Sequence, residues 1–179
     1  MKFAFAAVIV STVLSVVQAH PEPAAASLQR RTCWYPTTPL LRAYNPSITD
    51  HFYTTNSAEM QNAVGLLGYH QEGNAATIHP EQTPITIPLY RLYNPTVFDH
   101  FYTTSASESD NAANLGYVKE GITGYVYETP LCGTVPLYRM YSPSATDHFY
   151  TTNAEEKDNA VNNLGYSYEG IAAYVNPQA

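Results

Sequence analysis

The chain has 179 residues, 45% of them apolar, and a formal charge of −7. That length suits one domain with a real core. The acidic balance, without any Lys/Arg cluster, excludes the cationic stripe that nucleic acid or an anionic membrane surface requires.

In chain order, Lys2 supplies a positive start and Phe3 to Val17 is a continuous apolar run. Val17-Gln18-Ala19 then gives a small-residue cleavage pattern, so residues 1–19 read as a signal peptide. The run is shorter than the roughly 20 residues a membrane span needs. Residues 20–31 end in Arg30-Arg31, which suggests a short propeptide with a dibasic processing site, as in fungal secretory proteins; an ordinary disordered leader is the alternative. Residues 32–179 form the expected single domain, with a charge of about −9. Cys33 and Cys132 are the only cysteines, and in an exported, extracellular protein such a pair is expected to form a disulfide. Asn45-Pro46-Ser47 and Asn94-Pro95-Thr96 resemble glycosylation sequons but carry the forbidden proline.

DHFYTT occurs at 50–55, 99–104 and 147–152, within units that span 39–80, 88–130 and 136–177. In the second unit Leu89 to Tyr93 reads as a short aromatic strand, Asn94-Pro95 opens a turn, and His100 to Thr104 is a second strand. A helix follows. Asn56, Ser105 and Asn153 stand at its N-cap, with Glu59, Glu108 and Glu156 at capping-box spacing. Gly68, Gly116 and Gly165 stop it, each followed by Tyr. Tyr117 to Tyr127 adds one or two strands, broken near Gly121. One such unit cannot bury its own apolar face, whereas three around an axis can. The expected fold is therefore α+β and β-rich, a pseudo-threefold closed ring of three ββαβ(β) repeats, propeller-like or trefoil-like.

The pattern PLYR-x-Y-N-P…D-H-F-Y-T-T…L-G-Y…E-G-I…Y-V resembles a repeat family of unknown function found in secreted and surface proteins of fungi and bacteria. It covers Pro39 to about Pro177. The first unit departs from it at Leu41, Ala43 and Asn74. The resemblance brings no activity with it, but such repeats often accompany exported hydrolases, which implies an attachment or recognition role.

An Asp-His pair written three times fits a repeated scaffold or a repeated binding site better than one catalytic constellation. Neither G-x-S-x-G nor H-E-x-x-H occurs. His51, His100 and His148 meeting at the axis would form a three-His metal site, a reading that lacks any local ligand spacing. As framework, Asp50, Asp99 and Asp147 would bond nearby turn amides, and Arg42, Arg91 and Arg139 would pair with them across each hairpin. As a binding surface, the sixteen tyrosines offer flat apolar faces with polar tips. The candidate ligand-binding residues are Arg42, Asp50, His51 and Tyr53 in the first unit, and Arg91, Tyr93, Asp99, His100 and Tyr102 in the second. Arg139, Tyr141, Asp147, His148 and Tyr150 complete the set in the third. The expectation is a secreted, non-enzymatic, lectin-like module for glycans or cell-wall surfaces, with no cofactor. A compact secreted structural or effector protein with a protein partner is the alternative, and a hydrolase the weaker third.

Overall fold

The computed structural model describes residues 33–177. The expected signal peptide and propeptide lie outside them. The first unit comprises β1 (Thr38–Asn45), β2 (Asp50–Thr54), α1 (Ser57–Leu66) and β3 (His70–Ile78). The second comprises β4 (Ile87–Asn94), β5 (Asp99–Thr103), α2 (Ala106–Asn114) and β6 (Val118–Val126). The third comprises β7 (Val135–Ser142), β8 (Asp147–Thr151), α3 (Ala154–Asn163) and β9 (Ser167–Val175). Each unit is one three-stranded antiparallel sheet with its first strand in the middle, ordered β2-β1-β3, β5-β4-β6 and β8-β7-β9. The molecule is β-rich α+β with pseudo-threefold repetition, and the optional fourth strand is not formed among the described residues.

The hairpin turns are fixed by Asn in the first two units and by Ser142 in the third, rather than by Asp. Asn45 Oδ1 accepts from the Ser47 amide and Asn94 Oδ1 from that of Thr96, both at 3.0 Å. The residue before each Asp is left-handed: Thr49, Phe98 and Thr146 have φ of 54°, 59° and 58°. The helices begin as expected, the Asn56, Ser105 and Asn153 side chains accepting amides of the first turn. They end with the amides of Tyr69, Tyr117 and Tyr166 reaching back to Ala63, Ala112 and Ala160 carbonyls. The last strand of each unit is a single strand with two bulges. In β6 the pairing with β4 skips Glu120 and Thr123; β3 skips Glu72 and Ala75, and β9 skips Glu169 and Ala172. An extra residue rotates the side chains that follow and re-aims its own.

Leu40, Leu89 and Leu137 form the central core with Ile78, Val126, Val175 and the buried rings of Tyr53, Tyr102 and Tyr150. Smaller clusters lie beneath each helix, around Phe52, Phe101 and Phe149. The tyrosines also solve the problem of the edge strands β2, β5 and β8, whose unpaired backbone groups would otherwise be buried. Tyr102 Oη donates to the Tyr53 carbonyl at 2.7 Å and accepts the Tyr53 amide at 2.8 Å. Tyr150 does the same for Tyr102, and Tyr53 for Tyr150. Their rings meet edge to face, with centroids 5.3–5.6 Å apart. Backbone bridges likewise link unit to unit, through His79–Tyr125, Tyr127–Tyr174 and Asn176–Thr77. Both sets of contacts run from first to second, second to third and third to first. Cys33 and Cys132 form a disulfide that ties the N-terminal segment to the linker before the third unit.

Candidate functional site

Neighbours in sequence are not partners in space. Asp50, fully buried, accepts the His100 amide at Oδ1 (2.9 Å) and the His100 Nδ1 at Oδ2 (2.6 Å). The Tyr69 hydroxyl, from the Gly-Tyr that ends α1, donates to the same Oδ2. Asp99 binds His148 and Tyr117 in this way, and Asp147 binds His51 and Tyr166. Each unit's Asp therefore holds the next unit's His. A carboxylate can only accept, so Nδ1 carries the hydrogen and Nε2 is left at the surface of the junction. In the second unit it lies 3.8 Å from Glu120 Oε2.

This arrangement differs from the weak three-His reading and corrects the expected arginine pairing. The groups that converge are the aspartates, with ligand oxygens within 4.8 Å of one another, not the histidines. Those oxygens already receive imidazole, amide and phenol donors, which is why three carboxylates tolerate one small space. The arginines, moreover, do not pair with Asp across their hairpins. Arg91 makes a two-pronged bond to Glu59 of the preceding unit, at 3.0 and 2.8 Å, while its Nε faces Glu120 Oε2 at 2.8 Å. Its guanidinium carbon sits 5.4 Å from the centroid of the Phe52 ring. Arg42 has the same contacts with Glu156, Glu72 and Phe149, and Arg139 with Glu108, Glu169 and Phe101.

The capping-box glutamates thus face the neighbouring unit instead of their own N-cap amides, which Thr54, Thr103 and Thr151 serve. Burial alone would push the Glu59 carboxyl up, but hydrogen bonds from Arg91 and Thr54 outweigh it and hold it below its ordinary value. Glu108 and Glu156 behave alike. Burial opposes the arginine charge, and the same hydrogen bonds more than restore it.

Above this layer two of the junctions open into clefts. Between the first and second units lies a cleft of about 380 Å³, bounded by Phe52, Asn62 and Leu67 on one side and Tyr93, Phe98 and His100 on the other. Between the third and first units its counterpart of about 420 Å³ is bounded by Phe149, Asn159, Leu164, Tyr44, Thr49 and His51. Tyr93 covers His100 with its ring tilted by 30° and centroids 4.4 Å apart, and Tyr44 and Tyr141 cover His51 and His148 in the same way. Behind the Arg91–Glu59 pair a second, more polar depression of about 450 Å³ is lined by Thr54, Thr55, Gly121 and Thr123.

The structure divides the sequence candidates. Arg42, Arg91, His51, His100 and Tyr93 line the open clefts, and Tyr44, which was not among the candidates, joins them. Arg139, Tyr141 and His148 occupy the equivalent places at the remaining junction. Asp50, Asp99, Asp147, Tyr53, Tyr102 and Tyr150 are buried in the core and along the axis, out of a ligand's reach. Sequence reasoning missed Asn62, Asn111 and Asn159, exposed one helical turn past each N3 glutamate, and the exposed Leu67, Leu115 and Leu164. Their signal was the repeat itself, because a solvent-exposed residue kept identical in three units is not there for packing.

The chain belongs to the DUF5648 family, a domain of unknown function. The family's model matches residues 39–176, all three units of the domain. No curated protein and no solved structure matches the chain. The junction clefts of this DUF5648 domain are composite, since each takes its His, Arg and Tyr from one unit and its Phe, Asn and Leu from the unit before.

Proposed function

We propose that this chain is a secreted, non-enzymatic binding module whose junction clefts recognise glycans on a cell wall or similar surface. The observation that carries the reading is the composite cleft, an apolar wall of rings and a leucine with an exposed Asn, a carboxylate and an imidazole nitrogen around it. That is the composition of a sugar site, where flat C–H faces lie on aromatic groups and hydroxyls meet a few placed polar atoms. All three guanidinium nitrogens of Arg91 already face carboxylates, so the cleft offers acceptors rather than a free cation. Neutral sugars and amino sugars suit it, and acidic ones do not. Equivalent weak sites on one rigid body gain apparent affinity on a surface that presents many copies of the ligand. The same His and Asp that suggest acid–base chemistry are tied to each other across every junction, which favours binding over turnover.

Export is part of the proposal. The apolar start of the chain, the disulfide and the lack of any helix among the described residues long and apolar enough to cross a membrane are each compatible with it. The test is a pull-down of the chain on insoluble neutral and acidic polysaccharides, repeated with the triple variant Tyr44→Ala, Tyr93→Ala, Tyr141→Ala. Retention on neutral polysaccharide, reduced at least tenfold in the variant with the fold intact, is expected. Binding to no polysaccharide, with capture of a protein from the same extract, would replace this reading with a protein-binding one.

A further inference from the structure

The two clefts are not equal, and the difference is concentrated at one residue. The position just before each Asp carries Thr49, Phe98 or Thr146. All three hold a left-handed φ between 54° and 59°, so the backbone gives no preference for an aromatic ring there. Phe98 is 44% exposed and, among the described residues, stacks on no other ring. Packing therefore does not account for it either. Its side chain lines the cleft between the first and second units, opposite Ile48. In the cleft between the third and first units the same two places are Thr49 and Ala145. At the remaining junction the equivalent residues are Thr146 and Val97.

The geometry points to the first–second cleft as the principal glycan site, with Phe98 as the platform for the C–H face of one pyranose ring of a neutral, β-linked polysaccharide. This rests on the glycan reading above and adds which cleft and which sugar surface. A β-linked gluco-configured ring has its substituents equatorial and its axial C–H bonds on both faces, three on one and two on the other, so either face can stack on an exposed phenyl ring. Its equatorial hydroxyls then point outward, toward Asn62, Glu120 and the Nε2 of His100 along the cleft walls. At about 380 Å³ the cleft falls within the roughly 300–1,000 Å³ of small-molecule sites. The Thr49 cleft keeps the polar groups and loses the platform, so it serves as a weaker secondary site on the same surface.

Calorimetric titration with hexamers of β-1,4-linked glucose, β-1,4-linked N-acetylglucosamine and β-1,3-linked glucose tests this on the intact chain. Phe98→Thr copies the residue that both sister turns already hold at the same φ, so the fold is retained, and a thermal melt checks it. The expected result is one dominant site for at least one hexamer, weakened roughly tenfold in Phe98→Thr and partly kept in Phe98→Tyr. Thr49→Phe, in the cleft between the third and first units, should add a second site of comparable strength. Binding that is equal at two or more sites and indifferent to Phe98→Thr would overturn the principal cleft while leaving the glycan reading intact. Binding of none of the three hexamers by the unaltered chain would overturn both.

Discussion

At the scale of single residues, Asp99 shows how a suggestive pair becomes framework. Its neighbour in sequence, His100, is held by Asp50, and Asp99 itself holds His148 and Tyr117 of two different units. Asp99→Asn would turn an amide NH₂ toward two donors that need an acceptor, in a place closed to water. A cost of about 3 kcal/mol is expected, which lowers Tm by roughly 6–12 °C in a domain of this size. Differential scanning calorimetry checks it, and the sugar titration of the folded variant at low temperature should be unchanged. The Asn56 cap and the Gly68 stop were legible in sequence because both act within one turn of the helix. The partners of Arg91 were not. Glu59 lies 32 residues away in another unit, and Glu120 faces the arginine only because a bulge turns it there.

At the scale of elements, the junctions are built from exceptions to regular structure. The edge of each second strand is satisfied by a neighbour's phenol, and each last strand carries two bulges, where sequence reading saw only a break near a glycine. Sixteen tyrosines read in sequence as a stacking surface, but the rings of Tyr53, Tyr102 and Tyr150 serve as hydrogen-bonding core. Close approach of units is most severe at Gly124, where a Cβ would stand 2.9 Å from the His79 carbonyl oxygen and 2.6 Å from Ile78 Cδ1. Ala76 and Ala173 hold the same register in the other sheets. The isoleucine tip can swing aside, but the carbonyl belongs to the bridge between first and second units. Gly124→Ala should therefore cost about 1–3 kcal/mol, read as a lower denaturant midpoint, whereas Ala173→Gly should cost less.

At the scale of the whole molecule, repetition was the feature sequence carried best. It located three units, their hairpins and their helices, because each is specified by local turns and caps. It did not assign contacts between units, since identical repeats offer the same side chains to every junction. The same repetition multiplies pH sensitivity. Glu59, Glu108 and Glu156 have folded-state pKa values below ordinary, so their contribution is complete above the usual carboxylate range, near 4.5. It is lost as pH falls through the lower folded-state values, because the unfolded chain then binds protons first. Tm should be flat from neutral pH to about 5 and drop below 4. The triple variant Glu59→Gln, Glu108→Gln, Glu156→Gln should be less stable at pH 7 and lose part of that acid slope.

The central claim is that ligand meets this protein in the clefts between units, while the Asp–His–Tyr contacts along the axis only hold the units together. A crystal structure of the intact chain soaked with a neutral β-linked oligosaccharide tests it most directly. The account predicts sugar rings against Phe98 and Tyr93, between the first and second units, with the three buried aspartates untouched. Sugar bound on an outer sheet face or at the axis, with that cleft empty, would contradict it.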